Sequence, residues 1–524
     1  MNDIVGLSVT NVTFGGNATS PVTISGQALT NCVTILTQST SPVHHIFNCE
    51  VVCKNGVTPT IPNTENNYVK FTGGLVTPTL AKPADFGAAA CYYMGKISIT
   101  NPSWDVNLSR DNSSHSVSVR VHILGGSEIS AESASLNFVN IHSNAVFTVK
   151  NLTAGGRWYA DANPNKYMGN WKSAGAWKVR WTRLAENCDG KIVVTGSIDP
   201  GSGKDCFLPE GTASNRVVIA KGIVNSSTTV MTGAYTAAPY IFLNRGNKTT
   251  NGSAYGSANS TGEFKIALGS GGLSVKSGAN SYARFIVGAD NTICSYEDWA
   301  IAAHPTSGNT VLAIESSKTL TIDTGHYPVG DPEIDDGATA HTVTVNGVIG
   351  GAGNLRIVGG GTVAFNSDCS HSGMTRVENG VAILKSGARP TAGNFSVWGN
   401  GTMVRKDSGT VTIGGGLFVG DNSTLKFTIN DNTDTNKLVA SYVSNTIETD
   451  DKFVNVYVDA PKGQSLRGFT PYTLITVTGN TKLTTDDLSK YKLQDQPTWA
   501  SRLDVVDGNL VLWPRAPGLS ISIR

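Results

Sequence analysis

Charge is scarce in this sequence. Asp, Glu, Lys and Arg make up 15% of its 524 residues, where a soluble domain usually carries about 25%. Its 40 basic and 39 acidic residues leave a net charge of +1. That balance excludes a global basic field for nucleic acid or anionic lipid, and no nucleic-acid partner is expected. Long apolar runs are missing as well. No stretch approaches the roughly 18 residues of a membrane-crossing helix, so no transmembrane segment is expected. The opening Met1-Asn-Asp-Ile-Val-Gly-Leu7 lacks a basic stretch followed by an apolar one, and no signal peptide is visible. The nine histidines are scattered, with no Ser-His-Asp order and no G-x-S-x-G elbow beside them. No cysteine pair has C-x2-C spacing, which argues against a zinc site.

Glycine, Ser, Thr, Asn and Val fill the space that charge leaves. There are 58 glycines, above the usual share of about 7%. They punctuate short runs in which apolar and polar residues alternate, the signature of strands. The clearest set is His341–Gly347, Gly351–Val358, Gly359–Phe365, Met374–Val377 and Val381–Lys385. Strands this short, separated by sharp turns, suit a chain that winds as a coil and stacks on itself. Two short helices are predicted, one capped by Ser295 and one starting near Thr485.

The expected architecture is all-β: a single long right-handed parallel β-helix with loop elaborations and a C-terminal cap. Residues 1–150 read as N-terminal coils and 151–190 as an aromatic and basic insertion or coil edge. Residues 191–440 form the main β-helix, 441–513 cap strands, and 514–524 a terminal tail strand. At 20–25 residues per coil there would be roughly 20 coils, on the order of 100 Å of stack.

The runs Asn346–Leu355, Gly359–Phe365 and His371–Ala382 resemble the autotransporter-associated β-strand repeat. Cys369-Ser-His-Ser-Gly373 replaces that repeat's usual Asn-Thr-Tyr-x-Gly. The close likeness spans 341–385, with a looser one from 310 to 430. It implies a right-handed parallel β-helix on a secreted or cell-surface protein, mostly bacterial. It transfers no catalytic residue, because the repeat is structural.

Four groups of residues are candidate sites. Trp158, Tyr159, Trp171, Trp177 and Trp181, interleaved with Arg and Lys, suit stacking on sugar rings or protein contacts. Asp323, Asp331, Glu333, Asp335 and Asp336 suit Ca2+, the one cofactor considered, although the run lacks calcium-loop spacing. Without such an ion it reads as a solvated loop. Leu519, Ile521 and Ile523 alternate in the tail and could be donated as an edge strand, forming a homo-oligomer or filament. Among eight cysteines, Cys32 and Cys53 stand 21 positions apart, about one coil, and Cys188 and Cys206 could close a loop. Disulfides in those pairs and buried free thiols are both open. Many of the N-x-S/T tripeptides, which include those at Asn394, Asn400 and Asn422, are expected by chance in a chain this rich in Asn, Ser and Thr, and no routine glycosylation is expected.

The leading functional reading is an extracellular or cell-surface structural and adhesive β-solenoid, self-associating into filaments or matrix and meeting a glycan or host surface. The alternatives are a polysaccharide lyase or glycoside hydrolase on the same fold, and a glycan-binding module. The balance of residues favours a non-enzyme.

Overall fold

The computed structural model describes residues 3–38, 43–61, 68–80, 91–100, 104–105, 121–135, 138–141, 144–153, 181–184, 191–199, 206–208, 217–225, 240–243, 248–250, 253–255, 264–277, 284–288, 290–327, 338–431, 437–447, 452–460, 470–495 and 498–515. They fall into two compact units, one of Met1–Gly271 with Val275–Gly288, the other of Gly272–Ser274 with Ala289–Arg524. Each is a stack of short strands, paired in parallel with strands one coil away: the parallel β-helix that the alternating runs predict.

In the first unit one apolar column runs through ten coils. Leu7 pairs with Leu29, then Val51, Leu75, Ile97, Ile129, Phe147, Ile192, Val217 and Ile266. Leu29, Val51, Leu75, Ile97, Ile129, Phe147 and Ile266 are buried, because strand residues alternate between faces and every second residue meets its counterpart in the next coil. A neighbouring column stacks Phe47 on Phe71, ring centroids 5.6 Å apart. Burying each such ring contributes about 1.5–3 kcal/mol. Two strands, Val69–Thr77 and Cys91–Ile99, run around a corner of the coil. Gly95 makes the bend at φ +106°, and a Cβ there would collide with the Phe71 carbonyl. The one antiparallel hairpin described in this unit joins Lys248–Thr250 to Ser253–Tyr255.

The second unit has two unbroken columns. One pairs Leu320, Leu355, Thr375, Phe395, Leu417 and Val443. The other pairs Val343, Val363, Ala382, Met403, Leu425, Val456 and Leu493. Between them lies a recurring corner. Gly360, Asn379, Asn400 and Asn422 all adopt positive φ, between +47° and +82°, and each stands two residues before a strand. Asn tolerates this left-handed conformation better than other side-chain-bearing residues. In the N-x-T tripeptides at Asn400 and Asn422 the Asn takes the left-handed turn and the Thr opens the next strand.

The coil direction changes near the C-terminus. Tyr472–Val477 still pairs in parallel with Leu438–Ala440, but Asn509–Pro514 lies antiparallel to it and to Ala500–Val506. The helix expected near Thr485 is a single 3-10 turn, Asp487–Lys490. The helix expected at Ser295 does not form. Ser295 ends the strand Asn291–Ser295, and Trp299–Ile301 is the next strand. The Ser295 hydroxyl accepts from Trp299 Nε1 at 2.8 Å and donates to the Asp323 carbonyl at 3.0 Å. Pairing with the following coil overrides a cap-like spacing.

Candidate functional site

Alternate residues of the second unit's strands face outward, and on one sheet they build an aromatic and basic strip. Arg356 pairs in register with Arg376, then Ser396, Phe418 and Ser444; Glu378 pairs with Trp398. Like charges stacked one coil apart repel, and Glu378 resolves this by serving both arginines. Arg356 donates to Glu378 Oε2 from Nε at 2.8 Å and Nη2 at 2.5 Å, and Arg376 contacts the other oxygen. The guanidinium of Arg376 sits 5.4 Å from the Trp398 ring centroid, a cation–π contact. Trp398 lies against Gly420 and Tyr442 against Gly416; a Cβ at either glycine would enter the ring. Phe418 meets Tyr442 edge to face at 5.6 Å. The strip thus holds three aromatic rings on rigid backbone, with two half-exposed arginines beside them. Sequence reading missed it. The available signal was an aromatic residue standing one coil away from an outward glycine.

A second cluster lies where Thr324–His326 meets Thr339–His341. His326 N donates to Thr339 O at 3.1 Å and His341 N to Thr324 O at 2.7 Å, with an antiparallel bridge between Gly325 and Ala340. His326 Nδ1 and His341 Nε2 are 2.9 Å apart, so one imidazole donates to the other. Asp298 Oδ1 lies 3.8 Å from the far nitrogen of His341 and accepts from Thr342 N at 2.7 Å. The arrangement can pass a proton along two rings, but the His341 side chain is only 2% exposed.

Of the residues expected to hold Ca2+, Asp323 accepts from Gly325 N at 3.0 Å, which fixes the turn after it. Asp331, Glu333, Asp335 and Asp336 lie outside the described residues. Among the described residues no group of three His, Cys, Asp or Glu side chains is arranged to hold a metal ion. Trp158, Tyr159, Trp171 and Trp177 also lie outside the description. Trp181 opens the strand Trp181–Leu184 and pairs with Phe138. Leu519, Ile521, Ile523 and Cys188 are likewise outside, whereas Cys206 begins Cys206–Leu208.

Cys32 and Cys53 are register partners in adjacent coils, as their spacing suggests. Both are buried and both are free thiols. Burial pushes the Cys53 thiol up to about 12, and its neighbour Cys32 adds to the shift. Protonated thiols of this kind are poor nucleophiles. His371 is buried in the second unit, its Nε2 2.8 Å from the Thr375 hydroxyl. Burial lowers its pKa to about 4, so it is neutral at pH 7.

No family model matches the sequence, and no curated protein matches it. Among solved structures, the crystal structure of the Haemophilus influenzae Hap adhesin is similar over 97% of this chain, at 12% identity and a TM-score of 0.29. The chain spans 59% of that protein's length. The β-helix assignment rests on the register pairs described above and takes nothing from this likeness.

Proposed function

We propose that this chain is a non-enzymatic β-helix of an exported or cell-surface protein, a rigid scaffold that adheres through its outer face to glycans or host surfaces. The observation that carries this reading is the strip of Arg356, Arg376, Trp398, Phe418 and Tyr442. Rings already packed on glycine lose little freedom when a ligand arrives, and that preorganisation favours binding. The half-buried rings of Trp398, Phe418 and Tyr442 offer apolar surface to the C–H faces of sugars, and the arginines suit acidic or hydroxyl groups. The likeness of residues 341–385 to the autotransporter-associated repeat supports the same location.

A glycan array and a panel of immobilised host matrix proteins, probed with the full chain, test it. Retention on at least one of them is expected, falling tenfold or more in Trp398→Ala/Phe418→Ala. Signal at background throughout, or binding unchanged in that variant, would reject the strip as the adhesive face. Loss only on replacing Trp158, Trp171, Trp177 and Trp181 would move the contact to that segment. Release of reducing or unsaturated sugar ends from a polysaccharide would replace the reading with a hydrolase or lyase.

A further inference from the structure

Coil stacking in the first unit places two thiols opposite each other. Leu29–Cys32 and Val51–Cys53 run in parallel, with Leu29 opposite Val51 and Cys32 opposite Cys53. Thr30 and Asn31 therefore face Val52 alone, and the register shifts between Leu29 and Cys32. Asn31 takes up the extra residue in left-handed backbone at φ +55°. Lys54 N donates to Cys32 O at 2.9 Å and fixes the two strands at this point. Among the described register pairs no other joins two cysteines. Cys91 is opposite Val121, Cys206 opposite Ile241 and Cys294 opposite Asp323. Cys49 lies against Gly73, which has no side chain to offer.

Neighbouring strands lie about 4.8 Å apart, inside the roughly 4.4–6.8 Å between Cα atoms that a disulfide spans. Cys32 and Cys53 are 1% and 6% exposed. Neither sulfur has a strong partner. Cys32 Sγ reaches the Thr34 carbonyl at 4.0 Å, and the Cys53 thiol bonds to the Thr77 side chain. Sulfur hydrogen bonds are weak, so either side chain can turn toward the other at little cost.

We propose that Cys32 and Cys53 are the site of an intrachain disulfide, formed by exchange with a low-molecular-weight disulfide such as oxidised glutathione, which staples the second coil to the third. One protein thiolate attacks a sulfur of the oxidant and displaces a thiolate. The other protein thiolate then attacks the protein sulfur of the mixed disulfide and displaces the second. The two thiol protons pass to the two displaced thiolates, so two thiols and one disulfide become one disulfide and two thiols. Burial raises the pKa of both cysteines and keeps them protonated in the closed stack. Exchange therefore belongs to folding, while these coils are still open, and the closed core then shields the bond. The bridge restricts the unfolded chain between its ends and so stabilises the first unit. It does not depend on the adhesive strip, which lies in the second unit.

Refolding the full chain from denaturant in a buffer of reduced and oxidised glutathione tests the proposal. Remaining thiols are alkylated, and the chain is digested without reduction for peptide mass analysis. A cross-linked pair holding Cys32 and Cys53 is expected in most chains, with Cys49 alkylated. A chain folded first and given oxidised glutathione afterwards should form the link at least tenfold more slowly. Dithiothreitol should lower the midpoint of thermal unfolding by several degrees more in the wild type than in Cys32→Ser/Cys53→Ser. Cys32 and Cys53 found alkylated, joined to Cys49, or held as glutathione adducts in most chains would overturn the proposal. So would equal midpoint shifts in the two proteins. Equal rates in the folded and refolding chain would refute formation during folding.

Discussion

The first and last described coils of this chain build their sheets in different ways. Among the described residues, the three strands of the first coil, Leu7–Ser8, Asn11–Phe14 and Thr23–Ser25, pair with the next coil, and their Leu7, Val12 and Ile24 are half-buried. At the last coils, one sheet turns antiparallel, and Asn509–Pro514 lies between Tyr472–Val477 and Ala500–Val506. Leu510 and Leu512 are fully buried there. Charged side chains reappear around this closure: Lys482, Asp487, Lys490, Arg502, Asp504 and Asp507. Arg502 pairs with Asp504, which also accepts from Trp513 Nε1 at 3.2 Å. A solenoid has two such ends to manage. Here the last described coils reverse strand direction and carry charge, and the first described coil does neither.

The closure is where a single change should matter most. Leu512→Ala removes a buried side chain held between two antiparallel partners and should destabilise the second unit by about 2–5 kcal/mol. Chemical denaturation followed by tryptophan fluorescence measures it. An effect below about 1 kcal/mol would mean that the antiparallel strands merely decorate the stack, and the contrast between the ends would vanish.

Acid tests the interior of the second unit against the first coil. The folded state holds His371 neutral down to about pH 4, while the unfolded chain takes up its proton near 6.5. Stability from this group is therefore complete above about pH 6.5, declines between 6.5 and 4, and levels off below. The full loss is roughly 3 kcal/mol. His45, which stacks on Phe14 in the first coil at 4.0 Å, is shifted in the same direction by burial and then by His44. His45 stands in the second coil, which pairs on both sides, but its ring rests on the first coil, so its protonation should loosen that end locally. His371→Asn should remove most of the slope of stability between pH 6.5 and 4, and His45→Asn little of it. The reverse ranking would place the weak point of the fold in the second unit.

The fold was far more legible than the site. Alternation in Thr342–Val345, Asn354–Val358 and Thr362–Phe365 announces strands, because a half-buried strand needs nothing more than that pattern. The Gly and Asn corners announce turns, because few other residues accept their φ. Ser295 misled because the spacing that caps a helix also serves a serine bonded to the next coil. The strip was hidden because it depends on register. The sequence separation between adjacent coils varies, from 20 residues between Asn354 and Met374 to 22 between Asn394 and Gly416 and 31 between Asp421 and Lys452. Nothing in one dimension says that Trp398 will cover Gly420, or that Glu378 will bridge two arginines from successive coils.

The smallest effect should separate the two regions most cleanly, because the same substitution can be made in each. Asn31 and Asn400 both sit in left-handed backbone, at φ +55° and +63°. Replacing either with Ala should strain the turn by about 1–2 kcal/mol. Asn31 Nδ2 also donates to Ser8 Oγ at 3.1 Å, tying the second coil to the first. Asn400 lies in the interior of its stack, where strain in one coil is shared by the coils on both sides. Asn400→Ala should therefore lower the midpoint of cooperative unfolding. Asn31→Ala should leave that midpoint nearly unchanged and instead speed amide hydrogen exchange in residues 7–14, since an end coil can open alone. Equal midpoint shifts for the two variants would mean that the first coil is as firmly held as the interior.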